Sequence, residues 1–197
     1  MVTNMWPTEH EPVYGIFVRR QVDSLRDLKF DIDLIFIDGR RSRFAYLLGA
    51  IRVFFLNFRS NRPALVHAHG GEAGVVARLF LRGPVLISYC GADLLGSPAA
   101  DGSIALSWRI RRWLLRRHAC LANATITKSK QMEDTLPPRI RSRNTVVPNG
   151  INRSLFRPMS RSKARSELGW RDDDVVVLFA ANPDNERKGF KMARSAC

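Results

Sequence analysis

The residues able to do chemistry fall into short groups, each at the end of an apolar run. Asn4 to Gly15 follows Val2-Thr3, and Gly39-Arg40-Arg41 follows the run that ends at Asp38. His69-Gly70-Gly71, Cys90-Gly91-Ala92-Asp93, Ser129, Asn149-Gly150 and Asn182 to Gly189 complete the set. Glycines and short polar side chains let backbone N–H groups approach an anion. Ligands of open α/β sheets bind there, past the carboxyl ends of the strands. Gly70-Gly71-Glu72-Ala73-Gly74 stands between a strand and a helix and is a candidate phosphate seat, although a tight turn explains it equally well. Asp93 follows about twenty residues later and faintly echoes a dinucleotide fingerprint, which keeps a nicotinamide-dependent dehydrogenase as a rival.

No metal constellation is expected. His67 and His69 are read as pointing to opposite faces of their strand, with only His69 toward a cleft, so they would not share an ion. No Ser/His/Asp set assembles. Trp108 to His118 reads as a basic amphipathic helix with Ile110, Trp113, Leu114 and Leu121 on its apolar side and Arg109, Arg112 and Arg116 opposite. Those three arginines could rest on anionic head groups or form a solvated face, and both readings stay open.

These groups need a scaffold, and the pattern supplies one. Short apolar strands (Asp31–Asp38, Ala64–His69, Pro84–Tyr89, Ala124–Thr127, Asn144–Pro148) alternate with helical periods (Phe17–Leu28, Ala45–Phe58, Ala73–Leu81, Ser107–Leu121, Lys130–Leu136). In the second helix Tyr46, Leu47, Ala50, Ile51, Phe54 and Phe55 are expected to face inward. Strand–helix alternation of this size predicts an α/β fold, a doubly wound parallel sheet. A boundary is expected near residues 151–162. Beyond it a helix from Ser162 to Leu168 closes on Gly169, and Val175 to Ala180 reads as a buried strand. We therefore divide the chain into residues 1–155, a Rossmann-like domain, and 156–197, a linker with the first βα unit of an incomplete second α/β domain.

Charge narrows the function. The 197 residues include 26 Arg and 6 Lys against 18 acidic residues, a formal net charge of +14. Arginine forms flat bidentate contacts with phosphate, so an anionic partner is expected: phosphorylated small molecules, an anionic membrane surface or nucleic acid. No nucleic-acid module is evident. Apolar residues make up 45% of the chain, which rules out wholesale disorder. Cys90, Cys120 and Cys197 are too scattered for a zinc site or disulfide scaffold and read as reduced thiols. The start shows no secretory pattern, and the longest apolar stretch, Phe44 to Phe58, is too short to span a bilayer. A cytoplasmic protein is expected, peripheral at most on the inner face of the membrane.

The order of the loop residues resembles the GT4-like glycosyltransferases of GT-B fold. It is carried by Asn4-x-x-Pro7, Gly15-Ile-Phe-Val-Arg-Arg-Gln21, His67-Ala-His69-Gly70, Gly91-Ala-Asp93, Ser129 and Val147-Pro148-Asn149-Gly150-Ile151 with Phe156 and Pro158. Leu168-Gly169 through Phe179 to Arg187-Lys188-Gly189-Phe190 resembles the start of that family's donor-binding domain.

The resemblance implies a hexosyltransferase that moves a sugar from a nucleotide-diphosphate sugar to a glycan or lipid-linked acceptor with retention. Polysaccharide, lipopolysaccharide or glycolipid assembly would be its setting. The acceptor would sit on the first domain, the nucleotide on the second, and the reaction in the cleft between them. No cofactor or metal is implied, because basic residues and helix N-termini hold the diphosphate. By the same resemblance Gly15 lets the backbone approach the donor phosphates, and the catalytic residues are Asp93, the loop's acidic residue, and Lys188, which neutralises the leaving diphosphate. Asn149, Gly150, Asn182 and Arg187 join the donor side; Asn4, His69, Cys90 and Gly91 join the acceptor side. Three positions depart from the family pattern: Gly15-Ile16 replaces a glycine pair, Cys90 a histidine and Asn182 an arginine. The family's paired acidic residues find no counterpart before Cys197, so the chain alone is expected to be an inactive fragment. A basic module that docks on membrane or nucleic acid without chemistry is the alternative.

Overall fold

The structure, a computed structural model, describes residues 1–97 and 103–197, with the side chain of Arg187 left out. It falls into two compact units, Met1–Ser97 with Ile104–Asn149, and Gly150–Cys197.

In the first unit six short strands form one all-parallel sheet: β1 (Val2–Thr3), β2 (Ile35–Phe36), β3 (Val66–His69), β4 (Val85–Ser88), β5 (Ala124–Thr127) and β6 (Asn144–Val146). Parallel neighbours cannot be joined by a tight turn, so a crossover must lie between them, and here each is helical. The helices are α1 (Ile16–Asp27), α2 (Phe44–Phe55) with a 3-10 turn at Leu56–Phe58, α3 (Gly71–Ala77), α4 (Ala92–Leu95), α5 (Leu106–Ala119), α6 (Lys130–Asp134) and α7 (Pro138–Arg141). The predicted strand at Asp31–Asp38 pairs only over Ile35–Phe36, and α7 was not expected.

The sheet order is β2-β1-β3-β4-β5-β6. From β1 the chain first winds toward β2 and then the opposite way from β3 onward. The switch point therefore lies between β1 and β3, and a ligand crevice is expected at their carboxyl ends. Register places Val2 beside Ala68, Ala68 beside Ile87, and Ile87 beside Thr125. Val2, Ala68 and Ile87 enter the core together with Ile37, Val53, Phe80 and Tyr89.

Helices α2, α3 and α5 pack side by side, with α3 in the middle. Close approach depends on missing side chains: a Cβ on Gly49 would lie 2.8 Å from Ile37, and one on Gly74 2.8 Å from Ile87. Asn57 locks the end of α2 to the end of α3. Its Nδ2 donates to Phe54 O (2.8 Å) and Leu79 O (2.7 Å), while its Oδ1 accepts from Leu81 N (2.7 Å) and Arg82 N (3.1 Å).

Both long helices of this layer correct the sequence reading. On α2 the buried side is Gly49 and Val53, flanked by half-buried Tyr46 and Ala50. Leu47, Ile51, Phe54 and Phe55 are exposed instead of inward. On α5 the buried residues are Leu115 and Ala119, whereas Ile110, Trp113 and Leu114 face out, as does Leu121 just beyond the helix. The cause lies in the small residues and the guanidiniums. Gly49 lets α2 settle on Ile37, and Arg112 and Arg116 reach inward to backbone carbonyls, so the bulky apolar stripes turn outward.

The second unit holds α8 (Arg161–Leu168), a 3-10 turn at Glu186–Lys188 and α9 (Phe190–Ser195). Ser160 caps α8, its Oγ accepting from Lys163 N, and Gly169 ends it at φ +69°, the left-handed conformation expected of a C-terminal glycine. The predicted buried strand at Val175–Ala180 is absent. Val175 is 96% and Leu178 81% exposed, because this segment pairs with no other strand among the described residues. Strand character needs a ladder, which apolar content alone does not provide.

Candidate functional site

The carboxyl ends of β1, β3 and β4 bring together Asn4, Gly15, His69, Gly70, Cys90, Gly91 and Asp93. Asp93 organises this edge. Its buried carboxylate accepts hydrogen bonds from the backbone N–H groups of Gly91 (2.9 Å), Cys90 (3.1 Å) and Gly71 (3.1 Å). One side chain thus ties the loop before α3 to the loop before α4. Burial raises its pKa above the usual carboxylate value, and the N–H donors pull the other way.

Gly15 opens α1 with φ +72°. A Cβ there would lie 2.3 Å from the Met5 carbonyl carbon and 2.5 Å from Trp6 N. The first loop can fold back on the helix only because this position has no side chain. Asn4 donates through Nδ2 to the Tyr46 hydroxyl (2.9 Å), and its Oδ1 is buried without a partner.

His67 and His69 correct the sequence reading directly. Residues two apart on a strand share a face. Their rings lie 4.5 Å apart between centroids, tilted by 32°. His67 Nε2 is 2.8 Å from Ser88 Oγ. His69 is fully buried, and neither of its ring nitrogens has a partner. Burial, followed by nearby positive charge, lowers His67 to about 4; burial, His67 and Lys128 lower His69 to about 3. Both rings are therefore neutral at physiological pH. Among the described residues no three His, Cys, Asp or Glu side chains come together in a metal-holding group.

Cys90 lies half-buried where the family pattern has a histidine, its thiol donating to Ser88 O at 3.6 Å. Burial, with Asp93 second, pushes that thiol up to about 12. Gly91, at φ +130°, has open space where a Cβ would stand. Lys128 directly follows β5 and is half-buried, and its charge contributes to the shifts of His67, His69 and Cys90. The strand-end rule that points to Ser129 applies equally to Lys128. Ser129 itself caps α6, its Oγ accepting from Met132 N.

Beside this edge, after β1 and β2, opens a cleft of about 750 Å³ lined by Trp6, Glu9, Glu11, Tyr14, Asp38 and Arg40 among others. Arg40 pairs with Glu11 at 2.7 Å and stacks 4.5 Å above the Tyr14 ring. A larger groove of about 920 Å³ runs along the opposite, amino edge, past Met1, Leu34 and Ala64. None of the strand-end loop residues lines it.

Arg109 is exposed on α5, while Arg112 donates to Leu95 O (3.1 Å) and Arg116 to Leu94 O (3.0 Å), tying α5 to α4. Asn149 ends the first unit, exposed, and Gly150 begins the second. In the second unit the Asn182 Oδ1 accepts from Asp184 N (2.9 Å) and caps a turn. Lys188 is exposed on the 3-10 turn before Gly189. The Arg187 side chain lies outside the described residues.

A six-stranded parallel sheet with flanking helices, polar loops gathered at its carboxyl edge and a switch point between β1 and β3 defines a Rossmann-like α/β domain, the architecture of a GT-B N-terminal domain. The family model of the glycosyl transferase 4-like domain matches residues 34–150, more than half of the chain, and the chain belongs to that family. No curated protein matches it.

Proposed function

We propose that this chain is the acceptor-side portion of a retaining GT-B hexosyltransferase that takes its sugar from a nucleotide-diphosphate sugar and gives it to a glycan or lipid-linked acceptor. The observation that carries the reading is that the family match, residues 34–150, covers the loops after β3 and β4 that Asp93 ties together. A non-catalytic docking module would leave both facts without a cause.

The acceptor seat is the cleft after β1 and β2. Glu9, Glu11 and Asp38 offer carboxylate oxygens to sugar hydroxyls, Arg40 offers a flat donor fork, and Trp6 and Tyr14 offer ring faces. Asp93 is a positioning residue: its carboxylate holds the N–H groups of Gly71, Cys90 and Gly91 in place. His69, fully buried and neutral, can serve the acceptor side only through the residues packed on it. On the donor side we assign Gly15, Asn149, Gly150, Asn182 and Arg187, with Lys188 as the cation for the leaving diphosphate. Negative charge grows on a departing nucleoside diphosphate, and a fixed cation lowers that barrier without a metal. The proposed setting is the cytoplasm, at the inner face of the membrane, which the three free thiols support.

The test is glycan and lipid-linked acceptor binding by the purified chain. Saturable binding that Glu11→Gln and Trp6→Ala weaken supports the assignment, and its absence across acceptor classes overturns it. The chain alone is expected to turn over no nucleotide-sugar; measured transfer or donor hydrolysis would refute that part.

A further inference from the structure

The outer surface of the α2–α3–α5 layer is apolar where a solvated helix layer should be polar. On α2, opposite Gly49 and Val53, stand Phe44, Leu48, Ile51 and Phe55, at steps of four, three and four residues, exposed by 75%, 58%, 44% and 60%. On α5, opposite Leu115, stand Leu106, Ile110, Trp113 and Arg117 at the same steps, the first three between 51% and 68% exposed. Between them α3 adds Val75, with Leu79 just past its end. Scattered exposed apolar residues are ordinary, but aligned stripes on neighbouring helices form a patch that wants a partner.

The charge around the patch says which partner. No Asp or Glu occurs between Asp38 and Glu72, a stretch that holds Arg41, Arg43, Arg52 and Arg62, all exposed, while its Arg40 and Arg59 pair with Glu11 and Asp33 outside it. None occurs between Ser103 and Met132 either, where α5 carries Arg109, Arg111 and Arg117 on its exposed sides. Glu72, the acid nearest α5 on the α3 side, is already paired with Arg111. Arg111 also stacks over Trp108 (4.4 Å) and Arg117 over Trp113 (5.5 Å), an aromatic–cation pairing suited to a lipid interface. Apolar stripes flanked by arginines that outnumber the acids beside them, where Glu72 and Asp33 are already paired with Arg111 and Arg59, match helices that lie in the plane of an anionic bilayer surface. Among the described residues no helix is long and apolar enough to cross a membrane.

We propose that the α2–α3–α5 layer docks flat on an anionic lipid bilayer, with Phe44, Leu48, Ile51, Phe55, Ile110 and Trp113 entering the head-group boundary and the flanking arginines meeting lipid phosphates. This deepens the membrane partner of the functional reading and relocates it. Arg112 and Arg116 hold α4, and the lipid-facing groups are the apolar stripes beside them. The inference rests on no step of the sugar chemistry.

The test is co-sedimentation of the full chain with phosphatidylcholine vesicles with and without phosphatidylglycerol, with Trp113 quenching by brominated lipid as a depth readout. Binding is expected only with the anionic lipid. It should fall about thirtyfold in Arg43→Ser/Arg52→Ser, and be abolished in Phe44→Ser/Leu48→Ser/Ile51→Ser/Phe55→Ser with circular dichroism unchanged. Should that variant misfold, Trp113→Ser, a single exposed change, is expected to weaken binding and abolish most of the bromolipid quenching. Failure to bind anionic vesicles, binding that loses no strength in these variants, equal binding to neutral lipid, or a stable dimer that buries Trp113 without lipid would each overturn the proposal. Because vesicle binding needs no donor or acceptor sugar, its failure would leave the glycan-binding result standing, and the reverse holds too.

Discussion

The Asp93 carboxylate accepts a hydrogen bond from Gly71 N at 3.1 Å, across 22 residues of sequence, and so joins the turn after β3 to the turn after β4. The same carboxylate holds the N–H groups of Cys90 and Gly91. Removing it strands several buried donors, each of which costs about 1–3 kcal/mol when left unsatisfied. Asp93→Ala is therefore expected to destabilise the first unit by roughly 3 kcal/mol or more, whereas Asp93→Asn, which keeps an acceptor oxygen, costs less. Urea unfolding of the two variants checks the order. Equal losses would show that the negative charge matters and the acceptor geometry does not.

The His67–His69 pair gives stability a pH dependence whose sign follows from the depressed values. In the folded chain the rings titrate at about 4 and about 3, below the ordinary 6.5. The unfolded chain thus binds protons first as pH falls. Stability from this pair is complete above pH 6.5 and is lost as pH falls toward 4 and below, by an amount on the order of 3 kcal/mol for each ring. Denaturant midpoints measured from pH 7 to pH 4 should show the loss. His69→Leu, which removes the more buried ring, should flatten the profile, and an unchanged slope in that variant would exclude the mechanism.

The strand ends were legible in the sequence because each chemistry-bearing group follows an apolar run, and β5 lies at Ala124–Thr127 as predicted. What could not be read was which way a helix turns when both of its sides can be buried. On α5 periodicity marks Ile110 and Trp113 as one stripe and Arg112 and Arg116 as another. It does not reveal that Leu94 and Leu95 present free carbonyls for the guanidiniums. That information comes from α4, a short helix that no periodicity could announce. Val175–Ala180 failed for a related reason, since its strand character depends on a partner that the segment itself does not encode.

Gly15 is required by space and by backbone angle together. At φ +72° an L-residue is strained, and a Cβ would overlap the Met5 carbonyl carbon at 2.3 Å. Gly15→Ala must therefore move the Asn4–Trp6 backbone, one wall of the proposed acceptor cleft. A loss of roughly 2 kcal/mol or more in stability is expected, with weaker glycan binding alongside it. Gly169→Ala offers the control: its φ is +69°, yet nothing stands within 4 Å of a new Cβ, so only the backbone term applies. If the two alanines cost the same, the close approach to Met5 has no energetic consequence.

The three cysteines should separate cleanly by reactivity. The thiolate is the nucleophile, and a thiol held at about 12 is almost wholly protonated at pH 8. Cys90 is further sheltered by its place beneath the β4 loop, where its Sγ donates to Ser88 O. Cys120 and Cys197 are exposed and free. A disulfide reagent added to the native chain should therefore label Cys120 and Cys197 quickly and Cys90 only on unfolding. Mass mapping of the modified peptides identifies each site, and Cys90→Ser should leave the fast phase untouched. Rapid labelling of Cys90 in the folded chain would mean that the loop held by Asp93 opens on the reaction timescale, and the buried-carboxylate account of that edge would fail with it.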